Sequence, residues 1–147
     1  MGSNLNYALI MTAAGVGIPI LAAMNAALGQ KIGSPITAAA ILFSVAFLSA
    51  WILSAATGFQ GLSQLASQPK HLFLAGLLVL FYVLSITFIA PKFGVGNAVF
   101  FVLVGQIISA TLIDHFGLFG AAVTQINLTR AVGLAFMVGG IGLTRLT

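Results

Sequence analysis

The sequence predicts an all-α integral membrane protein with five transmembrane helices, arranged as two helical hairpins and a fifth helix. Three observations predict it. Hydrophobic residues make up 61% of the chain and charged ones 4%, with a mean hydropathy of +1.20. A soluble domain carries roughly a quarter charged residues, so this chain cannot cover itself with polar surface. The apolar residues fall into five runs, each close to the roughly 20 residues a membrane helix needs. Finally, two of the connections between runs share one pattern, Lys-apolar-Gly.

The first run covers about Tyr7 to Leu28 and the second about Pro35 to Thr57. The polar connection "GFQGLSQLASQPK" leads to the third, about His71 to Ala90. The fourth spans about Gly96 to Ile113 and the fifth about Ile126 to Leu146. As helices, all five keep their backbone groups paired internally, which a hydrocarbon environment demands. The first run has no Lys or Arg ahead of it and a long apolar stretch, so it reads as a retained helix rather than a cleaved signal peptide. Lys31-Ile32-Gly33 closes the first hairpin turn and Lys92-Phe93-Gly94 the second. The glycines permit tight turns, and the lysines reach the headgroups. All 147 residues then form one transmembrane domain.

Five basic residues stand against one acid. They are scattered, with no cluster to follow a phosphate backbone, and nucleic-acid binding is excluded. With no cysteine there is neither a disulfide nor a thiolate metal site. An odd number of spans puts Lys31, Lys92 and Arg145 on one side, and Lys70 and Arg130 on the other with His71, Asp114 and His115. The positive-inside rule favours the first side as cytoplasmic, with the N-terminus outside and the C-terminus inside. Three against two is a thin margin. A chain so balanced can insert both ways, the condition for an antiparallel dimer.

The single carboxylate, Asp114, lies in "GQIISATLIDHFGLFG". It ends the fourth helix, where the backbone dipole disfavours a negative charge. The bilayer centre would cost it roughly 2.5–3.5 kcal/mol, so the interface is its expected address. Arg130, His115 or a loop amide is the expected partner, and an ion-coupling role is the alternative. Asp114 with His115 is too little for a metal site, and no cofactor is expected.

Uncharged polar residues inside the spans are driven towards other helices or a wet cavity. Helical spacing aligns Asn25 with Ala22, Ile18 and Gly15, beyond Pro19, which removes a helix hydrogen bond. Ser44, Phe47 and Trp51 share a face of the second helix, and Tyr82 and Ser85 one of the third. Gln106, Ser109 and Ala110 form a stripe towards Asp114. Asn25, Gln106, Trp51, Tyr82 and Ser44 are the substrate-path candidates. Interhelical hydrogen bonding is the competing explanation for Asn25 and Gln106, own-helix bonding for the serines, and filling or interfacial anchoring for Trp51 and Tyr82.

In "RAVGLAFMVGGIGL", Ala131, Ala135 and Gly139 repeat every four residues, and Gly133 and Gly140 lie seven apart. Small residues so spaced let helices approach closely in lipid, making this face the dimer-interface candidate, with packing against its own bundle as the alternative. No serine, histidine and carboxylate set occurs within the spans, so no enzyme activity is expected.

These segments resemble the YdcZ-like branch of the drug/metabolite transporter superfamily, short five-helix membrane proteins. The resemblance rests on "MNAALGQKIGSP", "APKFGVGNAVFF", "GQIISATLIDHFGLFG" and "RAVGLAFMVGGIGL", and covers nearly the full chain. It implies a multi-pass protein of a bacterial inner membrane that dimerises, as oppositely inserted copies or with a paired homologue. It further implies a small-molecule transporter working by alternating access, ten helices enclosing a central cavity. The related small multidrug resistance transporters exchange protons at a glutamate in helix one. Helix one here has no acid, and that mechanism does not carry over. A non-transporting subunit of a partner complex and a passive pore are the rival readings.

Overall fold

The structure, a computed structural model, describes residues 2–143; Arg145 and the end of the fifth run at Leu146 lie outside the described residues. Every regular element among the described residues is helical. These are α1 (Gly2–Lys31), α2 (Pro35–Ala56), α3 (Ala75–Phe93), α4 (Val95–Phe116) and α5 (Leu128–Leu143). Short 3-10 segments occupy Leu62–Ser67, Lys70–Leu74 and Leu118–Gly120. Four helical stretches are long and apolar enough to cross a membrane, the third counted from Lys70. α5 has 16 described residues, about 24 Å of helix against a hydrocarbon core of roughly 30 Å. The described chain therefore has four candidate spans and a shorter apolar fifth helix.

Local chemistry sets the ends. Ser34 caps α2, its hydroxyl accepting from Thr37 N at 3.2 Å, with Pro35 in the first turn where a missing N–H is harmless. Gly94 takes φ +90 and closes α3 by donating to Ala90 O at 2.9 Å. α1 stays one helix through Pro19. α4 continues past Ile113 to Phe116, so Asp114 lies at its end as expected and His115 shares its last turn.

Large apolar side chains point outwards from these helices, with Phe47, Leu78, Phe81 and Phe136 each at least 60% exposed. In water such a surface would drive aggregation; in lipid it is the solvated surface.

The chain divides into two compact units, within residues 1–95 and within 96–147. In the first, α1, α2 and α3 bury a small-residue core: Ala22, Asn25 and Ala26 of α1, Ala38 and Ala39 of α2, and Val83, Ile86, Thr87 and Ala90 of α3. Gly29 belongs to it, since a Cβ there would lie 3.2 Å from Pro35 Cα and 3.3 Å from Thr87 Cγ2. α1 and α3 thus contribute their C-terminal halves and α2 its first turns. The C-terminal ends of α1 and α3 share one end of the unit, marked by Lys31 and Lys92. Towards the other end no residue of α1 before Ala22, of α2 after Ala39 or of α3 before Val83 is buried among the described ones.

The buried positions repeat. Ala22, Asn25, Ala26 and Gly29 recur as Val83, Ile86, Thr87 and Ala90, each 61 residues on. The same step carries Lys31-Ile32-Gly33 onto Lys92-Phe93-Gly94. Both sets follow the spacing of one helical face.

The second unit is the α4–α5 hairpin. Gly117 turns the chain out of α4 with φ +61, and a Cβ there would sit 2.7 Å from Val123 Cγ2. Residues 121–127 then run without regular structure to α5.

Candidate functional site

Asn25 is buried and spends its amide inside the first unit, Nδ2 donating to Thr87 Oγ1 at 2.7 Å. Thr87 in turn donates to Val83 O at 2.6 Å. A buried amide left unpaired in lipid is expensive, so this chain of bonds accounts for Asn25 between two helices. The face predicted for α1 is displaced by about a turn: Ala22 and Asn25 are buried, but Gly15 and Ile18 are exposed, and Ala26 and Gly29 take their place.

Away from this core, Ser44 is exposed on α2 and its hydroxyl donates to Ala40 O at 2.8 Å. Ser44, Ala40, Phe43, Phe47 and Leu48 line an open concavity of about 410 Å³. One helical turn on, Trp51 is 43% exposed. Its ring centroid lies 6.0 Å from those of Phe47 and Phe59, an edge-on and a tilted contact. Phe59 holds φ +53, a left-handed conformation that bulky residues rarely adopt. Tyr82, near the middle of α3, is half-buried, and its hydroxyl oxygen is buried without a hydrogen-bond partner.

In the second unit, Gln106, Ser109 and Ala110 are all exposed along α4, Ser109 donating to Gln106 O at 3.2 Å. At the end of this helix the one acid meets a base. Arg130 Nη2 donates to Asp114 Oδ2 at 2.5 Å, while its Nη1 donates to Thr124 O at 2.7 Å. Thr124 N donates to the backbone oxygen of Asp114 at 2.9 Å, and Ile126 N donates to His115 Nδ1 at 3.2 Å. Asn127 Oδ1 caps α5 by accepting from Arg130 N at 2.8 Å. Asp114, His115 and Arg130 together staple the 117–127 connection to both helices.

On α5, Ala131, Gly133, Ala135, Gly139 and Gly140 are exposed, and among the described residues a Cβ at any of the three glycines would meet nothing within 4 Å. Ala135, Gly139 and Gly140 border an open concavity of about 620 Å³. Ala135 also borders, with Leu134 and Val138, a slot of about 360 Å³ whose other wall is Ile107, Ile108, Thr111 and Leu112 of α4.

Two participants escaped the sequence reading. Thr87 was hidden because a threonine in an apolar run reads as bonded to its own helix, which it also is. Gly29 was hidden among turn residues. The 61-residue step was the available signal: applied to Ala26 and Gly29, it leads to Thr87 and Ala90.

No curated protein matches the chain, and neither does any solved structure. The family model described as "Putative inner membrane exporter, YdcZ" matches residues 6–143, and the protein belongs to that family.

Proposed function

We propose that the protein exports a small molecule across the bacterial inner membrane as a dimer, most simply an antiparallel homodimer. The two units act as one transmembrane domain, and ten helices enclose a cavity with alternating access. The observation that carries this reading is the one-ended core of the first unit. Its three helices are fastened by Asn25–Thr87 and small residues at the Lys31/Lys92 end, while among the described residues none of their other halves is buried. An element closed at one end and loose at the other is what a rocking carrier requires.

Ser44, Gln106, Trp51 and Tyr82 line the path, and Asn25 works from inside the closed end. No unpaired acid is available, because Asp114 is engaged by Arg130, so the cargo is neutral or held by neutral groups. The exposed stripe of Ala131, Gly133, Ala135, Gly139 and Gly140 supplies the subunit contact. Lys31 and Lys92 favour the cytoplasmic side for their end, with the N-terminus outside.

A second reading, a non-transporting subunit, draws support from the internal pairing of Asn25 with Thr87 and of Asp114 with Arg130. Proteoliposomes loaded with a bacterial metabolite extract separate the two. A solute whose exit saturates, is stimulated by the same solute outside, and slows in Gln106→Ala and Ser44→Ala supports the carrier. Exit without saturation points to a pore. The absence of selective exit from well-folded protein overturns the transport reading.

A further inference from the structure

We propose that His115 is a proton-binding site whose occupation loosens the α4–α5 hairpin. Ile126 contributes a backbone N–H, which only donates, so His115 Nδ1 must present a lone pair to it across 3.2 Å. That bond exists only while the nitrogen carries no proton. An imidazolium has N–H groups on both ring nitrogens, and two donors facing each other repel.

His115 lies in the last turn of α4. The charged or titratable groups beside it are Asp114, its neighbour on α4, and Arg130 of α5; residues 117–129 contain none. Without the Ile126 bond the connection is left to Arg130, on Asp114 and Thr124 O, and to the backbone bond from Thr124 to Asp114. The ring is packed edge-on to Phe116 at 4.7 Å.

The hairpin is built to respond. Ile126 and Asn127 form the entry to α5, and Asn127 caps it. Beyond this clasp, α4 and α5 face each other across the slot, and the Ser109 hydroxyl bonds within its own helix to Gln106 O. Freeing the entry lets α5 shift within that slot. The device reads the aqueous phase that the α4–α5 connection faces, and it does not depend on what the protein carries.

The chain has no native cysteine, so Gln125→Cys with a nitroxide label reports on the connection in lipid nanodiscs. Histidine ordinarily titrates between about pH 5 and pH 8, so spectra are compared at those limits. The label should be ordered at the upper pH, with its mobile fraction rising severalfold at the lower. His115→Asn, which keeps an uncharged acceptor, should stay ordered at both. His115→Phe, with no acceptor, should be mobile at both. His71→Gln should respond as the parent does. A response that persists in His115→Asn, or is missing from the parent protein, overturns the proposal.

Discussion

Asn25 and Thr87 are joined side chain to side chain at 2.7 Å, 62 residues apart, inside an otherwise small and apolar core. The bond crosses between two helices whose buried faces follow the same spacing, so it fixes the register of α1 against α3. In lipid there is no hydrophobic force to bring helices together, and close packing plus such bonds must do it.

Removing either partner should therefore loosen the first unit. Interhelical hydrogen bonds in membranes contribute about 0.6 kcal/mol on average and about 1.7 at most. Asn25→Ala should cost within that range, since Thr87 stays bonded to Val83 O, and Thr87→Val somewhat above it, because it strands the Asn25 amide. The double substitution should cost clearly less than the two single costs added together. Reversible unfolding in bicelles measures the cycle, and strict additivity would break the link between the two residues.

Glycines of this chain should divide into two classes when changed to alanine. At Gly29 the new methyl meets Pro35 backbone at 3.2 Å and the Thr87 methyl at 3.3 Å, so α2 or α3 must give way. Overpacking of that kind costs roughly 1–3 kcal/mol. At Gly139 the methyl meets nothing among the described residues, and alanine gains up to about 1 kcal/mol of helix propensity. Gly29→Ala should lower thermal stability in detergent while Gly139→Ala leaves it level or higher in the monomer. If Gly139→Ala instead weakens association measured by crosslinking in membranes, the α5 stripe is a subunit contact.

Much of this was legible beforehand, for physical reasons. Membrane helices announce themselves because each needs a long apolar run, and the helix ends followed Ser34, Gly94 and Gly117. The family resemblance rested on four segments, among them the stretch that holds Asp114 and His115, and the family assignment agrees with it. What escaped was which side of each helix turns inwards. With apolar residues all round, the pattern that marks a buried face in a soluble protein is missing. Ile18 and Ala26 looked equally fit to be inside, and only the closer approach allowed by Ala26 and Gly29 decided between them. The α5 boundary was also hard to read, because Ile126 and Leu128 continue the apolar pattern while Asn127 between them is the cap.

Tyr82 offers a test of the opposite sign. Its hydroxyl is buried without a partner, and leaving such a group unsatisfied costs about 1–3 kcal/mol. Tyr82→Phe keeps the ring and removes that cost, so the state described here should become more stable in thermal unfolding. A transporter that uses the hydroxyl in another state should at the same time lose solute turnover. Stability and turnover both falling would mean that the hydroxyl has a partner in the resting protein.

The last prediction concerns the ion pair. Arg130 spans two acceptors at once, the Asp114 carboxylate and Thr124 O, which a planar guanidinium can do and a lysine ammonium at the same position cannot. The pair is only partly buried, with 27% and 38% of the side chains exposed. Solvent screening therefore keeps its worth well below the roughly 3–5 kcal/mol lost when a buried pair is broken, and about 1–2 kcal/mol is expected. Asp114→Asn should cost less than Arg130→Gln, because the arginine also holds Thr124 while the asparagine can still accept from it. Arg130→Lys should recover only part of the loss. Limited proteolysis within residues 117–127 reads the result directly, since the cut rate follows release of that segment. Equal cutting in Arg130→Lys and the parent protein would mean that the fork geometry does not matter, and that charge alone holds the connection.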